Sequence, residues 1–288
     1  AGIADWDIEF PMEALTGNYK VEIKIPGTEQ AIGTFQFQVE EFMPARLSVK
    51  LNALEKRFVP DETVKVGVLA QQSFGAAAAD KNVDLTVVLR AKDFAPEGYK
   101  SYSFKDETME FSGKKIDVEG KKTGPDGKAE FEFKTPAKIL APSSVSLAIG
   151  ATVMETGGRT VTAREERAFD PYPYYVGVRK KTDGNAAEGK LSDFEFVVLA
   201  PDGKEVSSGQ LKVTVSKVSW ESILKKDKNG GYQWTSESRE EDVHVASVDS
   251  GKGAGIFSFT PRGWGDHIVR VKSEGGHTAA IKFYVEGP

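Results

Sequence analysis

Hydrophobic and polar residues alternate along most of this chain. Leu47, Val49 and Leu51 occupy every second position, as do Val64, Val66 and Val68, and then Val83, Leu85, Val87 and Leu89. In the second half Phe194, Phe196 and Val198 are followed by Leu211, Val213 and Val215, and Tyr175-Val176-Gly177-Val178 opens a further run. Strict alternation places one set of side chains on one face of an extended backbone, which marks a half-buried strand. Between the runs lie Gly124-Pro125-Asp126-Gly127-Lys128 and Ala200-Pro201-Asp202-Gly203-Lys204. Proline presets φ there and glycine supplies φ > 0, so both read as hairpin turns. No segment longer than a turn or two carries a helical period; the best candidate, Glu221 to Lys226, is short. The pattern predicts an all-β chain.

The pattern also repeats. Gly2 to Ile8 followed by Pro11, Gly127 to Phe133 followed by Pro136, and Gly253 to Phe259 followed by Pro261 share glycine, a small residue, an aromatic and an apolar residue in strand spacing. Each predicts a strand entered through a glycine turn. A second alternating strand follows each one: Tyr19, Val21, Ile23, Ile25; Val145, Leu147, Ile149, Ala151; His267, Val269, Val271. A third closes the unit, with Phe35, Phe37, Val39 in the first copy and Ala279, Ile281, Phe283, Val285 in the last. In the middle copy its counterpart, Thr160 to Glu165, is mostly polar and reads as a weakly buried edge.

Trp6, Phe131 and Phe257 recur with a period of about 125 residues. Joints fall at Pro44, Pro171 and Pro288, since proline has no amide to give a ladder and suits a strand entry. Residues 1–43 then form the last three strands of a truncated module, and 44–170 and 171–288 two complete tandem antiparallel β-sandwiches. Three strands without partners should leave an open sheet edge and a partly uncovered apolar face, with Trp6, Ile8, Tyr19 and Val21 as candidates.

Composition narrows the function. The chain has 288 residues, enough for about two domains at roughly 150 residues each. Its formal net charge of −5 and lack of a basic block argue against nucleic acid, whose phosphates need clustered Lys and Arg. Cysteine is absent, which removes disulfides, thiol nucleophiles and cysteine-ligated metals while leaving the compartment open. No apolar run approaches the ~18 residues of a membrane span, so direct membrane insertion of this segment is not expected. The chain starts at Ala1 without a signal-peptide pattern and reads as a mature segment or an excised fragment.

The residues offer no catalytic constellation, and no catalytic, cofactor-binding or metal-ligating residue is assigned. His244, His267 and His277 are not spaced i, i+4, no HExxH occurs, and His267 reads as half buried in a strand. Glu40-Glu41, Glu165-Glu166 and Glu240-Glu241-Asp242 are adjacent pairs, and adjacent strand side chains point to opposite faces, so they read as solvated edges or loops. The Pro-Asp-Gly turns lack the calcium-loop spacing. There is no G-x-S-x-G elbow and no phosphate loop. Trp220, Tyr232 and Trp234 surround a polar loop; a sugar or protein site would use such aromatics, but the favoured reading has Trp220 and Trp234 facing each other across a hairpin and filling the sandwich core.

Several stretches resemble the macroglobulin-like domains of the alpha-2-macroglobulin family in its bacterial branch. Thr16-Gly17-Asn18-Tyr19-Lys20-Val21 is similar to the family's TGxYxV strand, and Phe37 to Pro44 to its FxVxEFxP joint. Val68 to Ala78 looks like its YxYGxPxxG strand and turn, with Gln72 or Ser73 in place of the tyrosine and Ala77 in place of the proline. Tyr174 to Val178 resembles the opening of the next module, and Trp220 through Trp234 its long hairpin. The resemblance spans essentially the whole chain. It implies Ig- or fibronectin-like macroglobulin domains in a protein that traps proteases after one of them cuts a bait region. It also implies a periplasmic or cell-envelope location, often with a lipid anchor, and neighbouring macroglobulin-like domains as partners beside the proteases. The thioester of many members cannot be carried over to a chain without cysteine. The competing reading is a cell-surface array of Ig-like modules acting as an adhesin or glycan-binding protein.

Overall fold

The structure, a computed structural model, describes residues 7–11, 14–39, 46–53, 55–155, 157–226, 228 and 230–287. It is all-β: every regular element among the described residues is a strand, and no helix long and apolar enough to cross a membrane occurs there. Two compact units result, residues 1–46 and 47–288.

The first unit is a ribbon of β1 (Gly17–Lys24) and β2 (Ala31–Val39), paired antiparallel. Their register puts Tyr19 opposite Phe37 and Val21 opposite Phe35 on one face, and Asn18, Lys20 and Glu22 opposite Gln38, Gln36 and Thr34 on the other. One face is thus apolar and the other polar. Phe10 stands edge-on to Tyr19 and Phe37, with ring centroids 5.3 and 5.6 Å away. Among the described residues of the unit nothing else covers this face: Phe35 remains 67% exposed, and Tyr19 and Val21 are half covered. Trp6 lies outside the described residues. Ile8 is exposed, and residues 7–11 carry no strand, which departs from the strand expected through Ile8.

The second unit begins with β3 (Leu47–Ala53), β4 (Arg57–Phe58), β5 (Thr63–Gln72), β6 (Asn82–Ala91), β7 (Lys114–Ile116), β8 (Lys121–Lys122), β9 (Lys128–Lys134), β10 (Val145–Met154) and β11 (Thr160–Phe169). They form a three-stranded sheet, β3-β5-β9, and a six-stranded sheet, β4-β11-β10-β6-β7 with β8 also on β6. The alternating residues of β5, β6, β9 and β10 interleave in one core around Val66, Leu89, Phe131, Leu147 and Ile149. β11 is polar toward solvent, and β4 covers just its last two residues.

The remaining strands are β12 (Tyr175–Lys180), β13 (Ala186–Ala187), β14 (Ser192–Leu199), β15 (Gln210–Lys226), β16 (Tyr232–Asp249), β17 (Ala254–Phe259), β18 (Gly265–Lys272) and β19 (Thr278–Glu286). A three-stranded sheet, β12-β14-β17, faces a five-stranded sheet, β13-β19-β18-β15-β16, over a core that includes Val176, Phe194, Phe196, Val213, Val269 and Val271.

One local expectation changes and another holds. Residues 221–226, the best helical candidate, are the end of β15, because pairing with β16 satisfies a backbone that a short isolated helix could not. The Pro-Asp-Gly turns are tight turns of one design. In each, the glycine amide bonds back to the carbonyl three residues earlier (Gly127 to Gly124, Gly203 to Ala200). The aspartate accepts from the lysine amide two residues on (Asp126 from Lys128, Asp202 from Lys204). Both close across themselves as hairpin turns do, with the Gly124 amide donating to the Lys128 carbonyl, the Ala200 amide to the Lys204 carbonyl, and Leu199 bridged antiparallel to Glu205; beyond the turn the chain passes to the opposite sheet. Gly127 has φ +76°, and a Cβ there would run into the Ala70 carbonyl oxygen, so both conformation and space demand glycine.

Candidate functional site

A cluster of aromatic and hydrogen-bonded side chains lies where the two sandwiches of the second unit meet. Over residues 175–178 of β12 and 196–199 of β14 the pair is apolar on both faces. Val176, Val178, Phe194 and Phe196 point into the core, while Tyr175 pairs with Leu199 and Gly177 with Val197 on the outer face. That outer face needs a cover. It receives one from the first sandwich: residues 92–113, between β6 and β7, leave their own sheet and lie across it as a strap.

The strap brings four aromatics, Phe94, Tyr99, Tyr102 and Phe104. Phe94 stacks on Tyr175 at 4.3 Å and meets Phe104 edge-on at 5.2 Å. Phe104 is 3% exposed and sits over Gly177, where a Cβ would approach its ring to 2.6 Å. Fully burying such a ring stabilises by about 1.5–3 kcal/mol. Backbone bonds fix the register: the Ser103 amide donates to the Val178 carbonyl at 2.9 Å, and the Val178 amide donates back at 3.0 Å. The Ala280 amide donates to the Lys105 carbonyl at 2.9 Å, so the strap touches β12 of one sheet and β19 of the other. It closes the seam between them.

The rim of the strap is polar. Arg179 donates through Nε to Glu195 at 2.7 Å and through its terminal nitrogen to Ser101 at 2.7 Å, with its guanidinium 4.7 Å from the Tyr102 ring. The Tyr99 hydroxyl donates to Glu205 at 2.6 Å. Arg179 holds the Glu195 carboxyl below the usual carboxylate range.

The linking segment is pinned as well. Asp170 is 2% exposed, pairs with Arg57 of the first sandwich, and accepts from the Tyr175 hydroxyl of the second at 2.8 Å. Burial, followed by the Asp170 charge, pushes the Tyr175 phenol up. The Tyr172 hydroxyl donates to the Ala141 carbonyl at 2.7 Å and accepts from the Ala141 amide at 3.0 Å. Beneath both tyrosines lies His277, in the turn between β18 and β19, with its ring centroid 5.1 Å from each of theirs. Its Nδ1 accepts from the Val176 amide at 2.9 Å, so the proton of the neutral ring belongs on Nε2. Burial pushes its pKa down to about 3, against a smaller contribution from the Phe104 backbone.

This arrangement fixes position. It presents no nucleophile–base pair, and among the described residues no group of three His, Asp or Glu side chains could hold a metal. The histidines are dispersed: His277 in the joint, His267 wholly buried against Phe283, where half burial was expected, and His244 beside Phe259. Glu165 pairs with Arg167, Glu240 with Arg270, and Asp242 accepts from Ser216, while Glu40 and Glu41 lie outside the described residues.

The aromatic hairpin does not fill the core. Trp220, Tyr232 and Trp234 are 64, 67 and 72% exposed, and Trp220 lies opposite Ser238 while Trp234 lies opposite Leu224. β15 and β16 outrun the sheet, so among the described residues their ends have no second layer to pack against. The strap itself was missed in sequence. Phe94, Tyr99, Tyr102 and Phe104 have no strand or helix period, and the remaining signal was a long aromatic-rich connection between two strands.

Comparison with known proteins matches residues 45–171 to the bacterial alpha-2-macroglobulin MG5 domain and residues 177–286 to bacterial macroglobulin domain 6. Alpha-2-macroglobulin of Xylella fastidiosa is 24% identical over 281 residues, covering 94% of this chain and 17% of that protein. The Escherichia coli protein of the same name is 22% identical over 270 residues, covering 87% and 16%. The chain thus spans less than a fifth of these relatives. Among solved structures, the native conformation of E. coli alpha-2-macroglobulin superposes with a TM-score of 0.68 at 21% identity, over 95% of this chain and 18% of that one. The Salmonella protein reacted with methylamine gives 0.67 at 21% identity, over 95% and 19%.

Proposed function

Because the chain belongs to the bacterial alpha-2-macroglobulin family, we propose that it is a non-catalytic framework section of a larger, broad-spectrum endopeptidase inhibitor that encloses proteases after they cut an exposed bait segment. The strap carries this reading. A trap that rearranges around its prey needs parts that move as bodies, and the strap, with Asp170 and His277, makes one body of two sandwiches.

The division of the chain supports the same reading. Residues 44–170 and 171–288 are two macroglobulin-like sandwiches, and 1–43 the C-terminal strands of another. The β1–β2 ribbon is the counterpart of β10–β11 and β18–β19, whose apolar faces are each covered by a three-stranded sheet. Among the described residues of its unit, its own apolar face lacks that layer. The partners are proteases, met through the full-length protein, and neighbouring macroglobulin-like domains. The location is the periplasm or cell envelope, with lipid anchoring a property of the full-length protein. A segment without cysteine contributes no thioester.

The test is made on the full-length protein. It is incubated with a panel of proteases and residual activity is read on a large protein substrate and on a small peptide. Loss of the first with retention of the second is the expected sign of enclosure. Equal activity on both would sink the proposal and return attention to a surface array.

A further inference from the structure

β16 is the outermost strand of its sheet, and β18 pairs with β15 from Lys212 to Lys217. From Val218 to Glu240 the two long strands therefore continue as a ribbon whose ladder partners, among the described residues, are each other. An isolated two-stranded ribbon is marginal in water. This one also carries Trp220, Leu224, Tyr232 and Trp234 on a single face, all at least half exposed. Aromatics on open surface are what binding hot spots are made of.

At its root the aromatic face runs into a cleft of about 440 Å³. The strap supplies Glu107, Thr108 and Glu110 as one wall, the ribbon supplies Val218, Trp220 and Glu240 as the other, and Asp266, Ile268 and Lys282 lie between them. Four carboxylates meet one ammonium there. Glu240 pairs with Arg270, but Glu110 and Asp266 have no ion-pair partner among the described residues. Along the adjoining edge Glu237 is paired with Lys225 and Glu240 with Arg270, and Glu241 and Asp242 still outweigh Arg239.

We propose that this face and the open β16 edge dock an extended cationic peptide segment, which adds as a strand to β16. On the aromatic face its side chains stand beside Tyr232 and Trp234 of β16, with Trp220 and Leu224 one strand further in, and a lysine or arginine reaches past Ser238 and Glu240 toward the cleft. Strand addition draws affinity from main-chain hydrogen bonds and specificity from alternate side chains. The charge selects the occupant: a second copy would bring one acidic edge against another, which is unfavourable for directly opposed pairs, whereas a basic strand is attracted to both edge and cleft. A cation against the Trp220 ring gains further. This inference is independent of protease enclosure.

The experiment titrates the 288-residue chain with a short acetylated peptide of alternating valine and lysine, and with its glutamate counterpart. The lysine peptide is expected to shift tryptophan emission and slow amide exchange along β16, and the glutamate peptide to do neither. The double variant Trp220→Ala/Trp234→Ala should lose about tenfold in affinity or more. Glu110→Lys/Asp266→Lys, which leaves the aromatic face intact, should also weaken binding. Equal binding of both peptides, or protection elsewhere than β16, overturns the proposal. So does dimerisation in sedimentation that the tryptophan substitutions abolish, which assigns the face to a second copy. Binding of a chito-oligosaccharide in place of the peptide overturns it too.

Discussion

The ring of Phe104, donated by one sandwich, rests on the bare backbone of Gly177 in the other, and a single added methyl would bring carbon to within 2.6 Å of that ring. Gly177→Ala should therefore force the strap outward, at the ~1–3 kcal/mol typical of overpacking. Urea unfolding of the variant would show it. Phe104→Ala opens a cavity and also destabilises, but the double variant should cost less than the sum of the two, since the clash disappears with the ring. Strict additivity would refute the contact.

Tyr175→Phe removes the hydroxyl that Asp170 accepts from, at an expected cost of about 1.5–3 kcal/mol for a hydrogen bond to a charged group. Arg57→Ala should cost less than Asp170→Ala. The Arg57 side chain is 45% exposed, so its half of the pair is solvent-screened, while Asp170 is buried and serves both partners. Denaturation midpoints of the three variants check the order.

Acid should weaken the joint through His277. The pKa of the ring falls from 6.5 to about 3 on folding, so the unfolded chain binds the proton more tightly. Stability is complete above about pH 6.5 and declines as pH falls toward 3, by at most about 1.4 kcal/mol per pH unit. His267, lowered chiefly by burial, contributes in the same direction. Unfolding measured across this window should be less steep in pH for His277→Gln than for the parent chain. Identical slopes would rule His277 out as the source.

Trp220 and Trp234 should be quenched readily by iodide, and Trp234→Ala should change stability by no more than about 0.5 kcal/mol, as for a surface position. A loss of several kcal/mol would put these rings back in a core.

The strands of both sandwiches were legible because period-two alternation, in β5, β6 and β9 of the first and β17 of the second, is a local signal with one buried face. The orientation of the hairpin was only half legible. Counting outward from Val213 and Val215, which face the core, already sends Trp220 to the outside. The same count along β16 from Val248 and Ala246 would send Trp234 inward. A bulge intervenes: Val215 pairs with His244 and Ser216 with Asp242, so Val243 is an extra residue that reverses every side chain beyond it. The joint was illegible for another reason. Nothing in Phe94-Ala95-Pro96-Glu97-Gly98-Tyr99 announces that its partners are Tyr175 and Leu199 in a different sandwich, because that pairing is set by tertiary packing. The double-sided apolar run Phe196-Val197-Val198-Leu199 was the available hint that β14 is covered on both faces.

The donated strap also bears on how such chains can be shuffled. Modules joined end to end like beads can be exchanged at their linkers. Here a crossover at Pro171 would part the recipient sheet from the aromatics that cover it and strand the donor loop on the wrong side of the splice. Residues 171–287 expressed alone should bind a hydrophobic dye at the bared Tyr175–Leu199 face, and a peptide of residues 92–113 should displace it. The heritable unit in this stretch is the pair.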